Sequence, residues 1–385
     1  MACATAVLAV LGLGLTMLAG DPAAAALEPT PTPVAVEAPS PSTSANAGPT
    51  AAATRIAPST SPTTPPPSPS TSPSTAPSSR YGDLNGMPAD AQVAHRLPLA
   101  VMIDNNARAR PQAGFTRASI VYQAPNDYGT DRYMLVFQEQ DSELVGPVRS
   151  TRPYFASWTT EYRAAYAHFG GDGTALKRVS EIDGDLIFDL DALRGSGRAY
   201  WRDDKRRAPF NAYTTTGRLW NEARRRGAPA SMVEGLAQRP FADDLPIEVR
   251  PASGSITVPY RRETVSYKYD RDANSYRRSL AGKPHIDALD NSRVTARNVI
   301  VQFVKFTYGA GSRQGRVLME HVGEGPAIVF HDGLAIEGTW QKKNESALTR
   351  FLDEAGEEIS LVRGPIYIQV VAERAKILYE VGELP

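Results

Sequence analysis

Arginine side chains grouped with amide and hydroxyl neighbours are the residues of this sequence best suited to binding chemistry. Arg149 and Arg152 flank a predicted helix start. Three further arginines share one short stretch with an amide and a phenol, and this group consists of Arg202, Arg206, Arg207, Asn211 and Tyr213. A guanidinium binds a carboxylate, phosphate or sulfate through paired hydrogen bonds, each contributing roughly 1.5–3 kcal/mol when desolvated. These residues therefore predict a site for an anionic ligand.

Two polar residues at the end of a predicted strand, Asp104 and Asn105, complete the candidate binding set. Cell-wall polymers offer suitable anions, because they carry lactyl-peptide carboxylates and teichoic phosphates. The alternative is that the arginines pair with aspartates and hold loops in place, with partners among Asp104, Asp183, Asp203 and Asp204. The sequence leaves both interpretations open.

Acid–base catalysis is a second hypothesis, centred on His168. This histidine ends a predicted strand near Asp172, so a carboxylate could orient it as a general base, with Asp104 as a further acid–base group. The alternative is a strand-end histidine that is satisfied by hydrogen bonds. The glycine-rich segment 170–174 could bind an anion at the start of the following helix, or form an ordinary tight turn. Standard motifs of hydrolases, metalloproteases and nucleotide-binding enzymes are absent. Whether the protein is an enzyme is left undecided.

No metal site and no cofactor is predicted. The histidine–aspartate pairs at 285/287 and 331/332 fall short of a metal motif. Cys3 is the only cysteine and lies in the N-terminal apolar segment, which excludes thiolate sites from the rest of the chain. The aromatic residues Trp340, Tyr267, Tyr269 and Tyr276 could stack on sugars, but aromatic residues on antiparallel strands usually form core or cross-strand pairs.

The overall charge gives no electrostatic attraction to polyanions. The chain has 42 Lys and Arg residues and 42 Asp and Glu residues. Nucleic acid is therefore not expected as a partner. The expected partners are a cell-wall polymer or an envelope protein.

The N-terminal quarter predicts export. Residues 4–20 are uncharged and apolar, and Ala24 and Ala26 give an Ala-x-Ala cleavage pattern, so residues 1–26 form a signal peptide or an uncleaved anchor. Only an uncleaved segment would contact the membrane. Residues 27–80 are rich in Pro, Ser and Thr and predict a disordered stalk. The protein is expected outside the cytoplasm, secreted or anchored to the envelope.

The remaining chain predicts an α+β fold in two domains. In residues 81–245 the predicted strands, such as 99–103, 119–122, 132–138 and 164–169, alternate with helices near 152–163, after 174 and at 216–226, which indicates a mixed α/β domain. Residues 246–385 contain regularly spaced strands and turns with almost no helical period, which indicates a mostly antiparallel β-rich domain.

Several of these segments together resemble a known family. They are the segments 98–105, 146–154, 201–209, 282–287, 298–302 and 332–340, and in this order they resemble the YerB-like lipoprotein family. The resemblance implies an exported two-domain protein, usually lipid-anchored, with no established activity and therefore no catalytic residues to transfer. Two positions depart from the family pattern. Asp21 stands where the lipidated cysteine would be, and Phe210 stands where histidine is expected.

Three functions follow as hypotheses. The first is an envelope protein that binds an anionic wall component through its N-terminal domain. The second is an enzyme acting on wall glycan or peptide. The third is a protein-binding regulator of wall machinery. One observation separates the three hypotheses, namely whether a cleft is shared by Asp104, Arg149, Arg152, His168 and Arg206.

Overall fold

The computed structural model describes residues 80–236, 238–311 and 315–382. The predicted export segment and nearly all of the predicted stalk lie outside the described residues. None of the helices in the described ranges combines the length and the apolar character needed to cross a membrane.

The first half of the described chain alternates strands and helices. Its elements are β1 (Arg80–Tyr81), β2 (Pro88–Ala89), α1 (Ala91–Ala94), β3 (Leu99–Asp104), β4 (Ile120–Pro125), β5 (Asp131–Phe137), α2 (Pro153–Thr160), β6 (Ala165–His168), α3 (Gly173–Ile182), β7 (Phe188–Asp191), β8 (Trp201–Arg202), β9 (Ala212–Tyr213) and α4 (Thr216–Arg225). Each helix expected from the sequence is present. Pro153 occupies the first turn of α2, where its missing N–H costs nothing.

The second half consists of strands, as expected. They are β10 (Phe241–Ala242), β11 (Gly254–Pro259), β12 (Thr264–Asp270), β13 (Ser275–Leu280), β14 (Lys283–Pro284), β15 (Thr295–Ala296), β16 (Asn298–Val304), β17 (Phe306–Tyr308), β18 (Val317–Met319), β19 (Gly323–His331), β20 (Leu334–Lys342), β21 (Arg350–Asp353), β22 (Leu361–Val362), β23 (Ile366–Ala372) and β24 (Leu378–Val381). The α+β class predicted from the sequence is confirmed.

A ten-stranded sheet runs through both halves of the chain in the order β21-β20-β19-β16-β23-β4-β5-β3-β6-β7. β23 pairs in parallel with β16 on one side and with β4 on the other. The sheet therefore continues across the predicted boundary at residues 245–246. A second sheet has the order β14-β13-β12-β11-β24, with β15 also paired to β13.

Both faces of the central part of the ten-stranded sheet are buried, which explains the apolar runs of β3 to β5. Alternate residues of a strand point to opposite faces. Leu99, Val101 and Ile103 join a core with α4 and the second sheet, whereas Ala100 and Met102 join a core with α2 and α3. The result is a layered arrangement with the central sheet in the middle.

Seven strands of the central sheet run in the same direction. β4, β23 and β16 are mutually parallel, β3, β6 and β7 are mutually parallel, and both β3 and β4 are antiparallel to β5. β20 has the direction of β16, because both are antiparallel to β19. Their carboxyl ends therefore meet at one edge of the sheet, which is where open α/β sheets tend to bind ligands. We call it the carboxyl edge.

Candidate functional site

A cluster of seven charged side chains lies at and beside the carboxyl edge. It comprises Arg132, Arg149, Arg152, Arg316, Asp104, Asp127 and Asp172, and is called the edge cluster below. Asp104 ends β3, and Asp127 follows the end of β4. With four guanidinium groups and three carboxylates, the cluster has an excess of positive charge.

Arg149 is paired with Asp104. The Arg149 Nε atom lies 2.8 Å from Asp104 Oδ2, and the backbone N–H of Arg149 donates to the Met102 carbonyl at 2.8 Å. The Phe210 ring lies 5.8 Å from the Arg149 guanidinium carbon, so the residue that departs from the family pattern is a neighbour of this arginine. Arg149 thus forms the aspartate pair that the sequence left as an alternative.

Arg152 is held by two aspartates. Its Nε donates to Asp127 Oδ2 at 2.7 Å, and Asp172 Oδ2 lies 3.7 Å away. Asp172 caps α3 by accepting from the Thr174 and Ala175 N–H groups, and it also lies 3.5 Å from Arg316 Nη1. The start of α3 is therefore occupied by a carboxylate of the protein itself.

Arg132 differs from the other arginines of the edge cluster and was missed at the level of sequence. Its side chain is buried, its Nη1 donates to the Ser150 carbonyl at 2.7 Å, and its Nε has no hydrogen-bond partner. No carboxylate of the described ranges lies within ion-pairing distance of this guanidinium. Burial, together with the nearby positive charge of Arg152, lowers the pKa of Arg132 to about 10. A signal existed in the sequence, because Asp131 and Arg132 directly precede the apolar run of a predicted buried strand.

His168 is not placed for acid–base chemistry with Asp172. It is completely buried, its Nδ1 donates to the Gly170 carbonyl at 3.0 Å, and its Nε2 lies 3.0 Å from Asp189 Oδ1. The hypothesis of a pairing with Asp172 is therefore wrong, and the alternative, a strand-end histidine satisfied by hydrogen bonds, is confirmed. The reason is that β6 and β7 are neighbouring parallel strands, which brings the aspartates of β7 beside His168.

The second arginine group stabilises a hairpin formed by β8 and β9. Arg202 Nη1 donates to Asn211 Oδ1 at 2.7 Å, and its guanidinium lies over the Phe169 ring at 4.7 Å. Arg206 donates to the Arg110 carbonyl at 2.7 Å and to the buried Tyr213 hydroxyl. Arg207 is exposed. Two of the three arginines thus bind groups of the protein.

The hairpin nevertheless lies beside the edge cluster. The Val148 N–H donates to the Ala212 carbonyl at 2.7 Å, one residue before Arg149. Arg206 donates to the carbonyls of Arg110 and Pro111 in the preceding loop. His168 is buried beneath the edge. Of the five residues whose arrangement separates the hypotheses, Arg149 pairs with Asp104, Arg152 pairs with Asp127, His168 is buried beside Asp189, and Arg206 is bound to the loop at Arg110.

Asn105 belongs to a different buried network. Its Nδ2 donates to Asp131 Oδ2 at 2.5 Å and to Glu263 Oε1 at 2.6 Å, while Arg110 Nη2 donates to Asn105 Oδ1 at 2.9 Å. Burial, with the adjacent charge of Glu263, raises the pKa of Asp131 to about 6. Because successive strand residues face opposite sides, Asp104 and Asn105 separate into two networks.

A groove of about 820 Å³ opens next to the edge cluster. Its walls are the starts of α2 and α3, the β17–β18 hairpin and the end of β23. Three of its residues adjoin the cluster directly: Pro153 follows Arg152, the Thr174 N–H donates to Asp172, and the Val317 N–H donates to Asp127. Pro153, Phe306 and Leu318 give the groove apolar surface. The charges of Lys305 and Arg374 are balanced by Glu320 and Glu373, and Lys305 Nζ lies 3.6 Å from Glu373 Oε1.

The remaining candidates have structural positions. The described residues contain no group of three or more His, Cys, Asp or Glu side chains that could hold a metal ion. Asp287 accepts hydrogen bonds from the Gly114 and Thr116 N–H groups, and His331 pairs with its neighbour Asp332 at 2.9 Å. The four aromatic residues considered for sugar stacking are buried, which confirms a core role for Trp340, Tyr267, Tyr269 and Tyr276.

Comparison with known proteins identifies the family. Residues 84–229 match the N-terminal domain, and residues 256–368 the C-terminal domain, of a family described as "Protein of unknown function (DUF3048)". The chain belongs to this family. It is 26% identical, over 296 residues, to YerB of Bacillus subtilis (strain 168), described as a candidate lipoprotein, and this match covers 75% of this chain and 86% of YerB.

The crystal structure of Bacillus subtilis YerB has the same fold. The two structures superpose with a TM-score of 0.68 at 25% identity, covering 78% of this chain and 99% of the YerB chain. The resemblance found from the sequence motifs is thereby confirmed. The family brings no established activity, so the function has to be argued from the site.

Proposed function

We propose that this protein is an extracytoplasmic cell-envelope protein that binds an anionic cell-wall component at the carboxyl edge of its central sheet. The observation that carries the proposal is Arg132, a buried guanidinium without a carboxylate partner in the described ranges. An unpaired buried charge is costly, and around this one the like charges of Arg149 and Arg152 outnumber the carboxylate of Asp104, its cross-strand neighbour. A bound anion would offset that cost.

The surroundings favour a polymeric ligand. The groove next to the edge cluster has a volume of about 820 Å³, which is large enough to hold more than the anionic group itself. Its apolar walls suit the faces of sugar rings or an aliphatic peptide side chain. In this proposal Arg132, Arg149 and Arg152 bind the anion, and the groove binds the adjoining part of the polymer.

The extracytoplasmic location rests on two supports. The apolar segment and cleavage pattern at the N-terminus predict export, and the relative YerB is described as a candidate lipoprotein. Cell fractionation combined with N-terminal sequencing of the recovered protein tests this part. A full-length product confined to the cytosol would contradict it.

Sedimentation with purified sacculi tests the binding site. Arg132→Met removes the unpaired charge while keeping side-chain length, and we expect it to weaken binding roughly tenfold or more, since a charge-assisted contact contributes about 1.5–3 kcal/mol. Its melting temperature should stay close to that of the parent, because no buried carboxylate loses its partner. Arg225→Ala, an exposed arginine on α4 at the opposite face of the sheet, is the matched control and should bind normally.

Two wall preparations separate the possible anions. Sacculi with teichoic phosphates and sacculi stripped of them are compared, since loss of binding on stripping identifies phosphate and retained binding identifies the peptide carboxylates. If Arg132→Met binds both preparations like the parent but melts at a clearly lower temperature, Arg132 has a structural role and the proposal fails.

A further inference from the structure

Tyr128 is an exposed aromatic residue beside the edge cluster. It lies in the turn between β4 and β5, directly after Asp127, and 66% of it is exposed. Its backbone has the left-handed conformation, with a φ of 57°, which is unfavourable for a bulky residue. Two hydrogen bonds hold this conformation, because the Tyr128 N–H donates to the Gly315 carbonyl at 2.7 Å and the Tyr128 carbonyl accepts from Arg262 Nη2 at 2.9 Å. The turn therefore holds a large ring at the surface.

The Tyr128 ring is supported by the backbone of Gly315. A β-carbon at Gly315 would overlap the Cδ1 and Cε1 atoms of the ring, so only glycine allows this contact. Gly315 also has a positive φ, of 74°, which favours glycine independently. The contact supports the ring while leaving most of Tyr128 exposed. A supported ring with an accessible surface is suited to stacking on a flat, partly apolar ligand.

Two exposed arginines of the β11–β12 turn flank Tyr128. Arg262 donates to the Tyr128 carbonyl, and neither Arg261 nor Arg262 forms an ion pair within the described ranges. The Arg261 side chain lies against Gly129, and its guanidinium carbon lies 5.3 Å from the centre of the half-buried Tyr308 ring. We call Tyr128, Tyr308, Arg261 and Arg262 the tyrosine–arginine platform. It combines aromatic surface with guanidinium donors.

The platform adjoins the edge cluster at two points. Asp127, the residue before Tyr128, accepts from Arg152 Nε at 2.7 Å. Arg316, a member of the edge cluster, directly follows the glycine that supports the Tyr128 ring. A polymer whose anionic group is bound by the edge cluster would therefore have its adjoining part close to Tyr128.

We propose that Tyr128 stacks on a sugar ring of the bound polymer, so that the ligand is an anionic saccharide rather than a wall peptide. This inference rests on the proposed function, which supplies the site for the anion. The apolar C–H face of the sugar packs on Tyr128, and its hydroxyl oxygens accept hydrogen bonds from Arg261 and Arg262. An extended peptide backbone offers no comparable flat apolar face, and its N–H groups cannot bond to guanidinium donors.

Substitutions of Tyr128 test the stacking without risk to folding. Asparagine tolerates the left-handed conformation, so Tyr128→Asn removes the ring and keeps the turn, and it should melt at the temperature of the parent or higher. We expect this variant to bind purified sacculi about fivefold or more weakly than the parent, whereas Tyr128→Phe, which keeps the ring, should bind within about twofold of it. Tyr81→Asn removes another exposed tyrosine, on β1, and is the matched control that should bind normally.

Soluble competitors identify the part of the wall that is bound. Glycan strands freed of peptide, which carry lactyl carboxylates, and teichoic polymers released from the wall are two sources of anionic saccharide. We expect one of them to displace the parent from sacculi at a concentration about tenfold lower than free stem peptides require. Stem peptides that compete as well as either saccharide, or parental binding by Tyr128→Asn, overturn the inference. If Arg132→Met loses binding while Tyr128→Asn keeps it, only the stacking inference fails, whereas a parent that does not bind sacculi contradicts the proposed function as well.

Discussion

Lys342 Nζ lies 2.8 Å from Glu161 Oε1, and neither side chain is exposed to solvent. Glu161 follows the end of α2 and Lys342 ends β20, so this buried ion pair joins the two halves of the chain. The pair is well satisfied. The Thr349 hydroxyl also donates to Glu161 at 2.7 Å, Lys342 donates to the Ala347 carbonyl at 2.7 Å, and Arg239 lies 3.8 Å from the carboxylate.

Lys342→Met is expected to lower the free energy of unfolding by about 3–5 kcal/mol, because it leaves a buried carboxylate with one distant cation. The adjacent, exposed Lys343→Met is the control and should change it by less than about 0.5 kcal/mol. Urea unfolding of both variants measures the difference. Equal midpoints for the two variants would show that the pair contributes no net stability.

The Arg152–Asp127 pair should be strongly coupled. Arg152→Ala leaves Asp127 buried without its main partner, so a double-mutant cycle with Asp127→Asn should give a coupling of roughly 1–3 kcal/mol. The exposed pair Arg163–Asp185, at 3.7 Å, is the reference and should couple by less than about 1 kcal/mol. A weak coupling between Arg152 and Asp127 would indicate that the charge of Arg152 serves ligand binding rather than the pair with Asp127.

Gly338 should not tolerate a side chain. A β-carbon there would overlap the carbonyl oxygen of Leu352 in the neighbouring strand β21, and backbone cannot move aside without breaking the ladder. Gly338→Ala is therefore expected to reduce the free energy of unfolding by at least about 2 kcal/mol. Gly173→Ala, at the open start of α3, should be neutral or stabilise by up to about 1 kcal/mol, and thermal melting compares the two.

The stability of the protein should contain a pH-dependent term from Asp131. Its pKa is raised in the folded protein from 3.8 to about 6, so the folded state binds the proton more tightly than the unfolded state does. Stability from this group is therefore full below pH 4 and falls as the pH rises through 6, by on the order of 3 kcal/mol. Glu263 and Arg110 face the carboxylate, and Asn105 and Gln123 donate to it.

Asp131→Asn removes this term. The free energy of unfolding of the variant minus that of the parent should therefore be larger at pH 7 than at pH 4. Urea unfolding of both proteins at both pH values measures this difference. A stability difference between the two proteins that is the same at both pH values would contradict the raised pKa.

The sequence was sufficient for the class of fold and for the family. Local patterns carry this information, because the apolar runs at 99–103 and 133–137 favour buried strands and Pro153 marks a helix start. The regular strand and turn spacing after residue 250 likewise indicated a β-rich second half. The family motifs are short segments, so they can be recognised in the sequence even though the structural neighbours of their residues are distant in the chain.

The partners of the charged residues were decided by tertiary structure alone. Arg149 and Arg152 were recognised from their spacing, but whether they face aspartates depends on which strand ends meet at the carboxyl edge. His168 pairs with Asp189 rather than Asp172 because β7 lies beside β6. The burial of Arg132 without an ion-paired carboxylate could be recognised only from the structure, in which β5 lies between β3 and β4. The physical reason is that ion pairing depends on distances of a few ångströms between residues remote in sequence, which local patterns do not encode.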